Sequence, residues 1–132
     1  MSNVKRDRLP LVLGAGAAAL LTAAALVFSS ANAAPPGDAA PAFSEVNTAG
    51  KTVSLADFKG KTVVLEWTNN GCPFVQKHYN SKNMQNTQAA ATADGVVWLS
   101  VISSKPGAQG NVTPAQADKL TTDRGAKPTH VL

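Results

Sequence analysis

The apolar positions of this chain fall into one long block and two short runs, and the polar stretches between them carry the turn signals. The block spans residues 9–28, is rich in alanine and leucine, and follows a basic start with Lys5, Arg6 and Arg8. The short runs are continuous rather than alternating. One holds Val63, Val64 and Leu65 with Trp67 just beyond, and the other spans residues 96–102 with Trp98 inside. Continuous runs of this length fit strands covered on both faces, as in a parallel sheet. Both tryptophans, together with Leu55 and Phe58, are therefore expected in the core.

The segments around these runs supply the remaining elements. Residues 43–47 and 52–54 flank the turn residues Asn47-Thr48-Ala49-Gly50, which predicts a small hairpin. One helical turn follows at 55–58, with Ser54 as its cap and Gly60 as its stop. A helix is predicted over 73–79, interrupted at Asn80-Ser81-Lys82-Asn83, which is poor in helix formers. Asn83 is the expected cap of a second segment over 84–92 that Gly95 ends. The order strand, helix, strand then predicts a right-handed βαβ unit. A polar loop covers 103–112. Thr113-Pro114 opens a further helix to Arg124, which Gly125 stops, and Pro128 leads into a last strand over 129–132. No internal repeat is found.

The long apolar block changes the picture of the first third. Small residues follow it, and Ala31 and Ala33 form an Ala-x-Ala pattern. A basic start, an apolar centre and such a site read as a secretory signal peptide over 1–33. The protein would then touch the membrane only transiently, during export, and work in the periplasm or another extracytoplasmic space. The alternative is an anchor retained at 9–28, which is about long enough to span a bilayer. Residues 34–40, with Pro35, Pro36 and Gly37, read as a flexible tether, and one domain is expected over 41–132. Of the chain's 12 basic and 8 acidic residues, Lys5, Arg6, Arg8 and Asp7 lie in the targeting segment, so the remainder is near neutral. No basic stripe with interleaved aromatics is present, and no nucleic-acid partner is expected.

The chemistry concentrates in Thr68-Asn69-Asn70-Gly71-Cys72-Pro73-Phe74-Val75-Gln76-Lys77-His78-Tyr79. This stretch follows the first short run and contains the only cysteine in the chain. Gly71 permits a tight turn, and Pro73 suits the first turn of a helix. Cys72 is thus expected where a strand hands over to a helix N-terminus. Unpaired N–H groups and the positive end of the helix dipole favour a thiolate there. A single cysteine cannot form an internal disulfide, so it is either a reactive thiol or a small buried hydrophobe. Thr68, Asn69, Asn70, Gly71 and Pro73 are the candidates for lining the approach to the sulfur. Lys77 and His78 are candidate thiolate stabilisers, against the alternative of a solvated helix face. Asn111-Val112-Thr113 matches a glycosylation pattern, but Thr113 is better explained as a helix cap.

Strand, Trp67, then Cys72-Pro73 opening a helix resembles the thioredoxin-like superfamily. With Pro41-Ala42-Phe43 and the stretch 50–65 ahead of it, the chain is more closely similar to the redoxin branch that includes the peroxiredoxins, the alkyl hydroperoxide reductase and thiol-specific antioxidant domains. The resemblance covers 41 to the end. It implies an α/β, thioredoxin-like fold with an N-terminal hairpin extension and a central, partly parallel sheet. It also implies that this sequence, as a fragment or a truncated product, lacks the final strands and helix of that fold, so that the domain is incomplete at its C-terminal end.

The resemblance further implies an oxidoreductase or antioxidant role in which Cys72 reacts with a small peroxide or a disulfide. Two departures shape this expectation. Thioredoxins carry a second cysteine three residues after the first, where this chain has Val75. Peroxiredoxins carry Thr or Ser three residues before it, where this chain has Asn69. Without a resolving cysteine, an external thiol reductant must complete the cycle. No cofactor and no metal are expected. A non-catalytic binding module or an inactive truncated chain is the alternative reading, and copper binding by Cys72, His78 and His130 is a more distant one. Six residues place Cys72 and His78 about 240° apart around a helix, off a shared face.

Overall fold

The computed structural model describes residues 35–132. The signal peptide expected over 1–33 lies outside the described residues. Residues 35–40 of the expected tether are exposed and include a turn in which Asp38 N–H donates to the Pro35 carbonyl at 3.1 Å.

Strand β1 (Ser44–Val46) and strand β2 (Thr52–Ser54) form the expected antiparallel hairpin, with Glu45 opposite Val53. Asn47 builds its turn. The side-chain oxygen accepts from the N–H of Ala49 at 3.1 Å and of Lys51 at 2.9 Å. Gly50 takes φ +74°, which a residue with a side chain adopts only at a cost. A 3₁₀ turn at Leu55–Phe58 follows, closed by a capping box between Ser54 and Asp57. Leu55 and Phe58 are only half-buried, because this turn packs at the margin of the sheet rather than inside it.

The main sheet has three strands in the order β3 (Val63–Trp67), β4 (Val97–Val101) and β5 (His130–Val131), all parallel. Helices α1 (Pro73–Asn80) and α2 (Asn83–Ala93) cross from β3 to β4, and α3 (Pro114–Arg124) crosses from β4 to β5. The two crossover helices α1 and α2 are separate. Lys82 takes a left-handed conformation at φ 63° and is itself the N-cap of α2. Asn83, expected as that cap, is instead the first helical residue. Its side chain is held by His78 Nδ1 at 3.1 Å, which takes it away from the helix N–H groups. α3 begins and ends as its sequence predicts, with a Thr113–Gln116 capping box and Gly125 left-handed at φ 66°.

Strand β4 lies in the middle of the sheet and is buried on both faces. Its Leu99 has no exposed surface. Strand β3 departs from the expectation of a strand covered on both faces. It is an edge strand among the described residues, and only its helix-facing side is covered. Leu65 and Trp67 alternate onto the other side and remain exposed, Trp67 at 63%. Trp98 is buried as expected; Trp67 is not a core residue.

Candidate active site

Cys72 is the N-cap of α1, with an extended backbone and no capping bond from its own side chain. Its N–H donates to the Asn69 carbonyl at 3.1 Å, and its carbonyl accepts the first helical bond, from Gln76, at 3.0 Å. Pro73 occupies the first helical position, where a missing N–H costs nothing. The N–H groups of Phe74 and Val75 have no helical acceptor. The thiol is free, half-buried, and sits at the positive end of α1. It opens into a groove of about 280 Å³ lined by Trp67, Thr68, Asn69, Val75, Ser103 and Ser104.

The residues expected around the sulfur take different places. Thr68 and Asn69 line the groove with Cys72. The hydroxyl of Thr68 is buried and has no hydrogen-bond partner among the described residues. Asn70 turns the other way, into a small cavity of about 30 Å³ that also meets Tyr79, Ser100 and Arg124. Its carbonyl accepts from Gln76 Nε2 at 3.0 Å and from Arg124 Nη2 at 3.4 Å. Gly71 is half-buried and directs its carbonyl to Gln109. Pro73 is exposed beside the groove rather than lining it. Lys77 and His78 are exposed in the last turn of α1. Five and six residues at 1.5 Å each place them roughly 8–9 Å along the axis from Cys72. There they face the negative end of the helix dipole, not the thiol. His130 stands on β5 against Asn47 and the Phe58 ring, so the structure does not bring Cys72, His78 and His130 together. Among the described residues, no group of three or more metal-ligating side chains is assembled.

Behind the groove lies a polar cluster that the sequence reading passed over. Glu66 points inward from β3. Its Oε1 accepts from Tyr79 Oη at 2.9 Å, and its Oε2 accepts from Gln88 Nε2 at 2.9 Å, Trp98 Nε1 at 2.8 Å and Ser100 Oγ at 3.1 Å. One carboxyl group thus joins β3, α1, α2 and β4. Gln88, with no exposed surface, spends its own oxygen on the N–H of Lys127 at 2.7 Å, just ahead of β5. Arg124 lies over the Tyr79 ring at 4.9 Å. The available signal was an acidic residue set between Leu65 and Trp67 in an otherwise apolar strand. Such a residue must face either water or a set of donors.

Burial pushes the Tyr79 hydroxyl up to about 12, and the neighbouring Glu66 carboxyl adds to the shift. Gln88 and Arg124 oppose it. The folded value lies above the unfolded one, so the stabilisation is complete below pH 10 and is lost as pH rises toward 12. Tyr79 is the only tyrosine in the chain, which makes its phenolate absorbance a clean probe. We expect a native titration midpoint near 12 and a midpoint near 10 in denaturant. The associated loss of stability is roughly 2 kcal/mol. A native midpoint at 10 would show that Tyr79 is neither buried nor held by Glu66 in solution.

A cysteine at the junction of a parallel strand and a helix N-terminus, inside this βαβ frame, matches one family model, that of Redoxin, over residues 35–129. The chain belongs to the Redoxin family. Solved structures carry the same fold. A protein described as a thioredoxin from Neisseria meningitidis is 25% identical, with a TM-score of 0.51, and the match covers 70% of this chain and 55% of that one. A thiol:disulfide interchange protein from Bacteroides sp. is 24% identical, with a TM-score of 0.53 over the same shares. The thioredoxin domain of a thiol-disulfide oxidoreductase from Bacteroides vulgatus is 23% identical, with a TM-score of 0.53, over 73% of this chain and 61% of that one. This redoxin therefore spans less than two thirds of the length of these structures. No curated protein gives a match. The fold expected from the sequence, α/β and thioredoxin-like with a hairpin extension, is the fold observed.

Proposed function

We propose that this redoxin is exported and acts as a one-cysteine thiol oxidoreductase, with Cys72 as its nucleophile. The observation that carries the reading is the free Cys72 thiol at the N-terminus of α1, open to a groove. Unpaired N–H groups and the helix dipole favour the thiolate, which is the attacking species. With a disulfide, the thiolate of Cys72 bonds one sulfur and the other leaves as a thiolate. With a peroxide, it takes the terminal oxygen as sulfenic acid and an alcohol or water departs. On the disulfide route one external thiol attacks the mixed disulfide and frees Cys72; on the peroxide route one thiol condenses with the sulfenic acid, releasing water, and a second attacks the resulting mixed disulfide to free Cys72. Val75 occupies the groove position three residues after Cys72, so the chain offers no second thiol for that step.

The test follows adduct mass. The reduced protein is treated with a small disulfide or with peroxide, then with excess thiol. We expect one adduct on Cys72 that the thiol removes. Absence of any adduct would leave the alternative, a thioredoxin-like binding module presenting the exposed Trp67.

Export rests on the basic start, the apolar block at 9–28 and the Ala31/Ala33 pattern. N-terminal sequencing of protein recovered from the extracytoplasmic fraction is expected to begin close after Ala33. A product that retains Met1 would indicate an anchor instead.

A further inference from the structure

Two loops meet beside Cys72, one before α1 and one between β4 and α3. Each is tied to the other by a side-chain amide. Asn69 Nδ2 donates to the Gln109 carbonyl at 3.2 Å, and Gln109 Nε2 donates to the Gly71 carbonyl at 3.2 Å. Asn69 is fixed in its turn by accepting from the Gly71 N–H at 2.8 Å. The approach is close enough that a Cβ on either glycine would force the facing amide side chain to shift. A Cβ on Gly71 would meet Gln109 Nε2 at 2.7 Å, and one on Gly110 would fall onto the Asn69 amide. Gly110 also takes φ +87°, a second reason for glycine there.

The same two segments both line the Cys72 groove. Thr68, Asn69 and Cys72 come from one, and Ser103 and Ser104 come from the other. The spacing of the walls at the sulfur therefore depends on what holds the segments together. We infer that Asn69 and Gln109 act as a clamp that sets the aperture to Cys72, which makes Gln109 a specificity-determining residue selecting small disulfides, peroxides and thiols over bulky ones. The inference rests on the reading of Cys72 as the thiol that meets those reactants.

The experiment compares two uncharged maleimides of different bulk, N-ethylmaleimide and N-(1-pyrenyl)maleimide, on the full chain. Each rate at Cys72 is divided by the rate on free cysteine, and the ratio of bulky to small is taken. Gln109→Ala removes the donor to Gly71. Asn69→Asp keeps the acceptor for the Gly71 N–H, loses the donor to Gln109 and adds a charge in the groove that bears equally on two uncharged probes and so cancels in the ratio. Both are expected to raise the ratio about three- to tenfold with the thermal midpoint unchanged. The double variant is expected to match the single ones, because both substitutions open one clamp. An unchanged ratio in both variants, or a double variant whose effect is the product of the singles, would overturn the clamp. So would a Cys72 that N-ethylmaleimide does not reach in the native protein. A shifted ratio in a protein that forms no disulfide or peroxide adduct would uphold the clamp and remove the redox reading.

Discussion

Replacing Cys72 with serine is expected to abolish adduct formation with disulfides and peroxides, lowering the rate by at least about 100-fold. A hydroxyl at this position is not deprotonated by a helix terminus alone, and the structure places no histidine beside it. His78 is at the far end of α1 and His130 is on β5. The fold should not suffer, since the Cys72 side chain makes no capping bond and is only half-buried. Circular dichroism and the thermal midpoint would therefore match the parent while reactivity disappears. The complementary change, Val75→Cys, would add a thiol to the same groove wall. That variant is expected to release a mixed disulfide on Cys72 without external thiol, which the parent cannot do. Persistence of peroxide or disulfide turnover in Cys72→Ser would end the nucleophile assignment.

Replacing Glu66 with alanine is expected to cost about 3–5 kcal/mol of stability. The substitution leaves Tyr79 Oη, Gln88 Nε2, Trp98 Nε1 and Ser100 Oγ without their shared acceptor. Gln88 has no exposed surface and Trp98 and Ser100 are nearly as buried, so water entering at the half-buried position of Glu66 replaces only part of the lost bonds. A domain of this size has about 5–15 kcal/mol in total, so the loss is a large fraction of the stability available. Glu66→Gln keeps the shape but turns one acceptor into a donor. It is expected to cost about 1–3 kcal/mol. Urea unfolding should show the midpoint falling in that order with an unchanged slope. Equal midpoints for parent and Glu66→Ala would mean that the four donors find other partners. Because the cluster lies on the far side of β3 from Trp67, Glu66→Gln should leave the alkylation rate of Cys72 within about twofold.

Local signals determined most of the elements. The continuous runs at 63–65 and after Gly95, with Pro128 ahead of the last strand, mark the strands, Thr113-Pro114 and Gly125 bracket α3, and Gly71-Cys72-Pro73 marks a strand-to-helix turn. Each is legible because turn, cap and proline chemistry act within a few residues. The same locality located the single cysteine at a helix N-terminus and, with the entry segment, pointed to the redoxin branch. Tertiary structure decided what no short stretch contains. An apolar residue in a strand is covered only if another element arrives, and none of the described elements covers Leu65 and Trp67. Asn83 does not cap α2, because left-handed Lys82 stands at the N-cap and the Asn83 side chain bonds His78 of α1. Glu66 became a hub only when β4, α1 and α2 brought four donors to it, and Gln109 reached Gly71 across 38 residues of chain. Those outcomes depend on long-range packing, where the cost of burying a polar group is met by partners far away in sequence.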